Sequence, residues 1–264
     1  MTVATLRRAT VLERSAPMRT AVELVLHEPE AAVAAKPGQF FQLGVDAQHT
    51  LLRRPYSIAW ANPDLGRIGF IFSVVGAGSA WLGAREAGQP VELLGPLGNG
   101  FATPGPDRTA VCIAGGLGIA AFVGLVKGCD RLGRRTVVLL GARSSDWLLP
   151  ADRLRGAEVR VATDDGSAGH TGRVTALLPR ALHDDVELFM CGPNEMLLAV
   201  VRSCRELGFP LERVQVALET PMGCGIGTCL GCALPARGGG YLLACQDGPC
   251  VTADRLDWDR MDGI

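Results

Sequence analysis

Between Ala4 and about Leu94, apolar and polar positions alternate in short runs: Ala4–Leu12, Thr20–Leu26, Phe40–Val45, Tyr56–Trp60, Arg67–Val75 and Gln89–Leu94. Turns such as Lys36-Pro-Gly38 and Asn62-Pro-Asp-Leu-Gly66 separate them. A period of two with evenly spaced breaks predicts an all-β unit closed into a barrel or sandwich. The exception is Ser79–Glu86, which follows Gly76-Ala-Gly78 and predicts a short helical turn. From Thr109 the pattern changes. Thr109–Ala114 is a continuous apolar strand, followed by Gly115-Gly116-Leu-Gly118 and a helix to about Leu132. Strands at Thr136–Leu140, Val159–Ala162 and Val186–Cys191 follow, with a helix within Thr171–Leu182 and another over Asn194–Leu207. Strands alternating with helices predict a parallel sheet covered on both faces. Ala110–Val126 is nearly all apolar, but it is short for a membrane span and broken by glycines, so a buried strand, turn and helix explain it better.

Composition narrows this picture little. The chain has 264 residues, 48% hydrophobic and 20% charged, enough for two compact domains and an appendage. A net charge of −1 with scattered basic residues gives no footprint for nucleic acid or an anionic membrane. The N-terminal stretch lacks a signal-peptide hydrophobic region, and free thiols suit a reducing cytoplasm.

The nine cysteines change it most. Cys224, Cys229 and Cys232 stand at C-x4-C-x2-C, with Cys245 and Cys250 downstream. This is the plant-type spacing for a [2Fe–2S] cluster, whose two irons take four thiolates. Gly223, Gly225, Gly227 and Gly231 let the loop curl and bring N–H groups to sulfur. A structural zinc would show two C-x2-C pairs or a Cys/His mix, and neither is present. Either Cys245 or Cys250 can supply the fourth thiolate on spacing alone. Cys112, Cys129, Cys191 and Cys204 read as buried thiols, although Cys191 also precedes the turn Gly192-Pro193, where a nicotinamide could lie. His27, His49, His170 and His183 are scattered and suggest no catalytic constellation.

Two nucleotide-binding signals accompany the cysteines. Arg54-Pro55-Tyr56-Ser57 offers a guanidinium fork for phosphate, a flat ring and a hydroxyl. Equally, it reads as a solvated arginine leading into an ordinary strand. Gly78 and Ser79 open a helical turn that suits phosphate, or Ser79 is simply its cap. Gly115, Gly116 and Gly118 stand where a pyrophosphate approaches a helix start, with Arg143 after the next strand and Gly192-Pro193 after the last. Nicotinamide delivers two electrons together and a cluster carries one, so a flavin, FAD or FMN, is expected between them.

In order along the chain, Arg54-Pro-Tyr-Ser57, Gly76-x-Gly78-Ser79, Leu94-Gly-Pro-Leu-Gly-Asn-Gly100-Phe, Cys191-Gly-Pro193, Gly223-Cys-Gly-Ile-Gly-Thr-Cys229 and Cys245-x-Asp-Gly-Pro resemble the electron-transfer subunit of class 1B dihydroorotate dehydrogenase, within the ferredoxin reductase superfamily. The resemblance covers nearly the whole chain. It implies a Greek-key FAD-binding β-barrel over 1–104, an NAD-binding α/β domain over 105–212 and a [2Fe–2S] domain over 213–264. It places FAD on Arg54, Pro55, Tyr56, Ser57, Phe72, Ser73, Val74, Gly78 and Ser79. It names Cys245 as the fourth ligand. It further implies a catalytic FMN-containing partner subunit in a heterotetramer, with electrons leaving to NAD⁺ in pyrimidine biosynthesis. Phe72-Ser73 departs from the family's aromatic-arginine pair, Tyr56 from its usual aliphatic residue, and Gly118-Ile-Ala-Ala-Phe122 from its richer glycine loop. Within the superfamily, a ferredoxin–NADP reductase, sulfide dehydrogenase or hydrogenase-type subunit is the alternative, and Arg143-Ser144-Ser145 would suit an NADP 2′-phosphate.

Overall fold

The computed structural model describes residues 4–46, 48 and 50–261, so His49 lies outside the described residues. Strands β1 (Thr5–Ser15), β2 (Ala21–His27), β3 (Phe40–Leu43), β4 (Arg54–Ser57), β5 (Trp60–Asn62), β6 (Arg67–Ser73) and β7 (Pro90–Leu97) form an antiparallel sheet in the order β4-β3-β7-β1-β2-β6-β5. The period-two pattern explains its curl. Alternate side chains such as Phe41 and Leu43 point inward to pack with Phe70, Leu24 and Leu93. The opposite edges approach, and Tyr56 of β4 stacks on Phe72 of β6 with ring centroids 4.5 Å apart.

The strand expected at Tyr56–Trp60 divides in two. Ile58 N–H donates to Gln39 O (2.9 Å) and Ala59 N–H to Gly69 O (2.9 Å), so these residues carry the chain across the gap in the half-barrel. Helix α1 (Pro29–Ala34) went unread in the sequence. Pro29 opens it, and the Glu28 side chain accepts from Ala31 N–H. Helix α2 (Ala77–Gly83) starts two residues before the expected Ser79, capped by Gly76.

The second sheet contains β8 (Thr109–Gly115), β9 (Thr136–Ala142), β10 (Glu158–Thr163), β11 (His170–Thr171), β12 (Val186–Cys191) and β13 (Val214–Ala217). After a hairpin of β14 (Ala233–Pro235) and β15 (Tyr241–Leu243), β16 (Cys250–Thr252) joins it antiparallel to β13. The order is β11-β10-β9-β8-β12-β13-β16, and every other pairing is parallel. Both faces are covered, which is why β8 reads as an unbroken apolar run. Cys112 and Ala114 pack under α3 (Ala120–Arg131), while Val111 and Ile113 pack on the side of α4 (Asn194–Glu206). The helix expected within Thr171–Leu182 is a 3-10 segment, Val174–Arg180, with Pro179 inside it. Proline cannot donate the bond an α-helix needs there. The cysteine-bearing segment leaves the sheet after β13 and returns to it as β16. No helix among the described residues is long and apolar enough to cross a membrane.

The two sheets meet through a buried ion pair that local patterning does not reveal. Glu23 of β2, 4% exposed, accepts from Arg153 Nη1 (2.9 Å) and Trp60 Nε1 (2.8 Å). Arg153 lies in the 3-10 turn Ala151–Leu154 beyond β9.

Candidate functional site

Strand order reverses between β8 and β12, and a ligand crevice opens where such strands end. The two turns there touch directly. A Cβ on Gly118 would lie 2.3 Å from the Cys191 carbonyl oxygen, and one on Gly192 would lie 2.9 Å from Gly115 N. Residues with side chains could not pack this closely. A cavity of about 590 Å³ opens over these turns, lined by Gly115, Gly116, Gly118, Arg143, Gly192 and Pro193, all anticipated from the sequence. Arg19 and Trp147 were not anticipated. Arg19 comes from the β1–β2 turn. Its N–H donates to Asp146 O (2.9 Å), its guanidinium pairs with Asp146 Oδ2 (2.6 Å), and it lies 5.9 Å from the Trp147 ring centre. Arg143 lies 5.6 Å from the same ring.

A second cavity, of about 240 Å³, lies between the half-barrel and the parallel sheet. Pro55, Tyr56, Ser57, Phe72, Ser73 and Cys191 line it. Burial pushes the Tyr56 hydroxyl up to about 12. Desolvation, and then the Glu219 carboxylate nearby, push the Cys191 thiol up to about 12, so it is a neutral thiol at neutral pH. The cavities join: Ser73, Leu117, Gly118 and Glu219 line both.

Four of the expected flavin residues line neither cavity. Val74 is 46% exposed. Arg54 packs against Gly78, where a Cβ would lie 2.7 Å from its Nε, and its Nη2 donates to Thr50 Oγ1 (2.6 Å). The Ser79 hydroxyl accepts from Val75 N–H (2.9 Å) and Gly76 N–H (3.0 Å), which makes it a brace for its own turn.

The cysteine loop hangs from the wall of the smaller cavity. Glu219, Thr220 and Met222 line that cavity on the way into the loop, and Pro249 lines it on the way out. Gly225 (φ +74°) and Gly227 (φ +82°) take the left-handed conformation and turn the chain around its own sulfurs. Gly227 N–H donates to Cys245 Sγ (3.1 Å), Ile226 N–H to Cys224 Sγ (3.5 Å) and Cys245 N–H to Cys232 Sγ (3.5 Å). Cys229 Sγ lies 3.5 Å from where a Gly223 Cβ would be. Desolvation opposes ionisation of Cys224, but hydrogen bonds from Thr228, Ile226 N–H and Cys229 outweigh it and bring that thiol down to about 5. Burial and the neighbouring Cys232 push Cys245 up to about 12.

Cys250 is separate from this group. It is buried, and its thiol donates to Gly38 O (3.4 Å) in the turn before β3. The segment between Cys245 and Cys250 is clamped by Asn99, whose side-chain amide donates to Gln246 O (3.0 Å) and Asp247 O (3.1 Å). Among the described residues, no three thiol, imidazole or carboxylate groups converge on a point for a single metal ion. A two-iron cluster has a different requirement, two thiolates on each iron. Cys224, Cys229, Cys232 and Cys245 lie on one segment between β13 and β16, and N–H groups aimed at the sulfurs of Cys224, Cys232 and Cys245 make a donor set that suits that requirement.

Comparison with known proteins points to an iron–sulfur cluster domain in the same stretch of chain. Residues 219–257 match the family model of the iron-sulfur cluster binding domain of dihydroorotate dehydrogenase B. The chain is 35% identical over 257 residues to the dihydroorotate dehydrogenase B (NAD(+)) electron transfer subunit of Geobacillus kaustophilus, covering 94% of this chain and 97% of the relative. It is 35% identical over 239 residues to the subunit of the same name from Desulforamulus reducens, covering 88% and 90%. Among solved structures, an NADH-dependent reduced ferredoxin-NADP oxidoreductase studied for flavin-based electron bifurcation superposes with a TM-score of 0.84 at 26% identity, over 98% of this chain and 92% of that one. A ferredoxin NADP+ reductase from Neisseria gonorrhoeae shares the fold, with a TM-score of 0.66 at 20% identity over 78% of this chain and 93% of that one. With a half-barrel, a doubly covered parallel sheet and a four-cysteine segment in one chain, and relatives 35% identical over most of its length, the protein belongs to the family of dihydroorotate dehydrogenase B (NAD(+)) electron transfer subunits.

Proposed function

We propose that this chain carries electrons between a [2Fe–2S] cluster, FAD and NAD⁺ on behalf of a catalytic dihydroorotate dehydrogenase subunit that holds FMN. One observation carries the reading: the cysteine loop is anchored at both ends in the wall of the smaller cavity, which opens through Ser73, Leu117, Gly118 and Glu219 into the larger cleft. A flavin accepts a hydride's two electrons and exchanges them singly with a one-electron centre. Cys224, Cys229, Cys232 and Cys245 would hold the cluster. Pro55, Tyr56, Ser57, Phe72 and Ser73 would seat the flavin ring. Arg54 is available to the phosphates from beside Gly78 and Ser79, and Val74 lies at the rim. Gly115, Gly116 and Gly118 let the dinucleotide approach the backbone, Gly192 and Pro193 bound the nicotinamide end, and Arg143 flanks the adenosine end. Cys191, a neutral thiol facing the smaller cavity, packs beside the junction and is not a nucleophile.

We divide the chain into an FAD part (1–104), an NAD part (105–212) and a cluster part (213–264), the last lending β13 and β16 to the sheet. The working assembly is a heterotetramer in the cytoplasm, serving pyrimidine synthesis.

Gly118→Ala tests the junction. Its Cβ would press on the Cys191 carbonyl, backbone that cannot swing aside. Flavin reduction by NADH in stopped flow is expected to slow at least about tenfold, near 1.4 kcal/mol of barrier. An unchanged rate would place the nicotinamide elsewhere.

The functional reading is tested by purifying the tagged chain from its native cytosol and assaying dihydroorotate-dependent NAD⁺ reduction. Flavin and cluster spectra, that activity and a second, FMN-bearing subunit are expected. The full-length likeness to the ferredoxin-NADP oxidoreductase chain favours a second reading, a ferredoxin-linked reductase. Flavin and cluster spectra with NAD(P)H diaphorase activity but no dihydroorotate activity would select it.

A further inference from the structure

We propose that the side-chain amide of Gln42 donates a hydrogen bond to a sulfur of the cluster on the Cys224 side, and thereby raises the cluster's reduction potential. The inference rests on the cluster assignment above.

Gln42 is completely buried, and neither its amide nitrogen nor its carbonyl oxygen has a hydrogen-bond partner. The other buried glutamines are satisfied. Gln39 donates to Gly98 O (2.9 Å) and accepts from Lys36 N–H (3.0 Å), while Gln215 accepts from Ala102 N–H (2.8 Å) and donates to Ala102 O (3.2 Å). A buried amide with nothing to bind is costly, and such groups in native proteins call for a missing partner.

The position of Gln42 says what that partner is. β3 points Phe41 and Leu43 into the half-barrel core and therefore Phe40 and Gln42 outward. Phe40 lines the smaller cavity. Gln42, one pleat further along, lies under the cysteine loop. A Cβ on Gly225, the residue after Cys224, would lie 2.9 Å from Gln42 Cγ and 3.0 Å from Gln42 Nε2. The glycine is thus required for this approach as well as for its left-handed φ of +74°. The same turn aims backbone N–H groups at Cys224 and Cys245. Cluster sulfurs are anionic acceptors, and donors to them favour the more negative, reduced state, which raises the potential.

The test is a potentiometric titration of the flavin- and cluster-loaded chain followed by EPR. Gln42→Met keeps length and burial and removes the donor. The one-electron reduction equilibrium of the cluster is expected to shift about tenfold toward the oxidised state, about 59 mV for one electron, with the flavin potential unchanged. A second measurement needs no substitution. With glutamine side chains labelled with ¹⁵N, the reduced cluster of the unaltered protein is expected to show a hyperfine coupling to that nitrogen, and Gln42→Met should lose it. Equal midpoints in the two proteins, or no coupling in the unaltered protein, overturn the proposal. If Gln42→Met fails to assemble, the labelled chain carrying Gln246→Met decides alone, because the Gln246 amide, which donates to Ile226 O on the same loop, is the competing nitrogen. A chain that takes up no cluster at all refutes the functional reading itself, whereas a cluster indifferent to Gln42 refutes only this role.

Discussion

Cys245→Ser is expected to abolish the [2Fe–2S] visible and EPR spectra, while Cys250→Ser leaves both in place. The residues are five positions apart and both buried, yet they face different parts of the molecule. Cys245 Sγ accepts from Gly227 N–H inside the loop, and its own N–H donates to Cys232 Sγ. Cys250 Sγ lies beneath Gly38, where a Cβ would come within 2.4 Å of it. The Asn99 clamp between them holds the chain so that the two thiols cannot exchange places without breaking its bonds to Gln246 O and Asp247 O. A serine at 245 removes a soft thiolate and leaves one iron with a single cysteine. A serine at 250 keeps a donor for Gly38 O and costs only packing. Iron and sulfide content per chain, read with the spectra, checks this. A cluster that survives in Cys245→Ser and is lost in Cys250→Ser would reverse the assignment.

The second large effect is expected at the ion pair joining the two sheets. Arg153→Met leaves the Glu23 carboxylate buried without its main partner. Loss of one member of a buried pair typically costs 3–5 kcal/mol; with the Arg153 side chain 28% exposed, about 2–3 kcal/mol is expected here. In a chain of this size that is a fall of about 5–10 °C in Tm. The pair also gives a pH dependence. Desolvation would raise the Glu23 carboxyl, but hydrogen bonds from Arg153 and Trp60, with the Arg153 charge, outweigh it and hold it below its ordinary 4.5. A carboxyl depressed in the folded state stabilises the fold fully above its unfolded value and loses that contribution as pH falls through the folded value. Stability of the unaltered chain should therefore fall as pH drops below about 4.5, and the Glu23→Gln protein should lose less over that range. Melting curves at stepped pH measure both, and parallel slopes would remove Glu23 from the account.

How much of this was legible follows from what sequence patterns encode. Ligand spacing is local, so the C-x4-C-x2-C loop could be read directly. The glycine turn after β8 was legible because a strand buried on both faces must be apolar throughout and must end in a turn. Gln42 was legible as an outward position on β3, but a period of two tells which face a residue occupies and not what covers it. The cysteine loop that covers Gln42 lies some 180 residues away. Glu23 and Arg153, like Arg19 and Asp146, meet across similar distances in sequence, and each alone reads as a surface charge. Short elements such as β13 and β16 carry too few residues to show a period, although they tie the cluster segment to the sheet. Cys245 and Cys250 could not be separated by spacing, because the difference lies in the path of the chain past Asn99.

The central claim is that one chain conducts electrons between a nicotinamide and an iron–sulfur cluster through its flavin. Anaerobic addition of NADH to the purified, cofactor-loaded chain, followed by visible and EPR spectra, tests it most directly. The account predicts bleaching of the flavin and then the EPR signal of a reduced [2Fe–2S] cluster, with no partner subunit present. A flavin that bleaches while the cluster stays oxidised under excess NADH would contradict it.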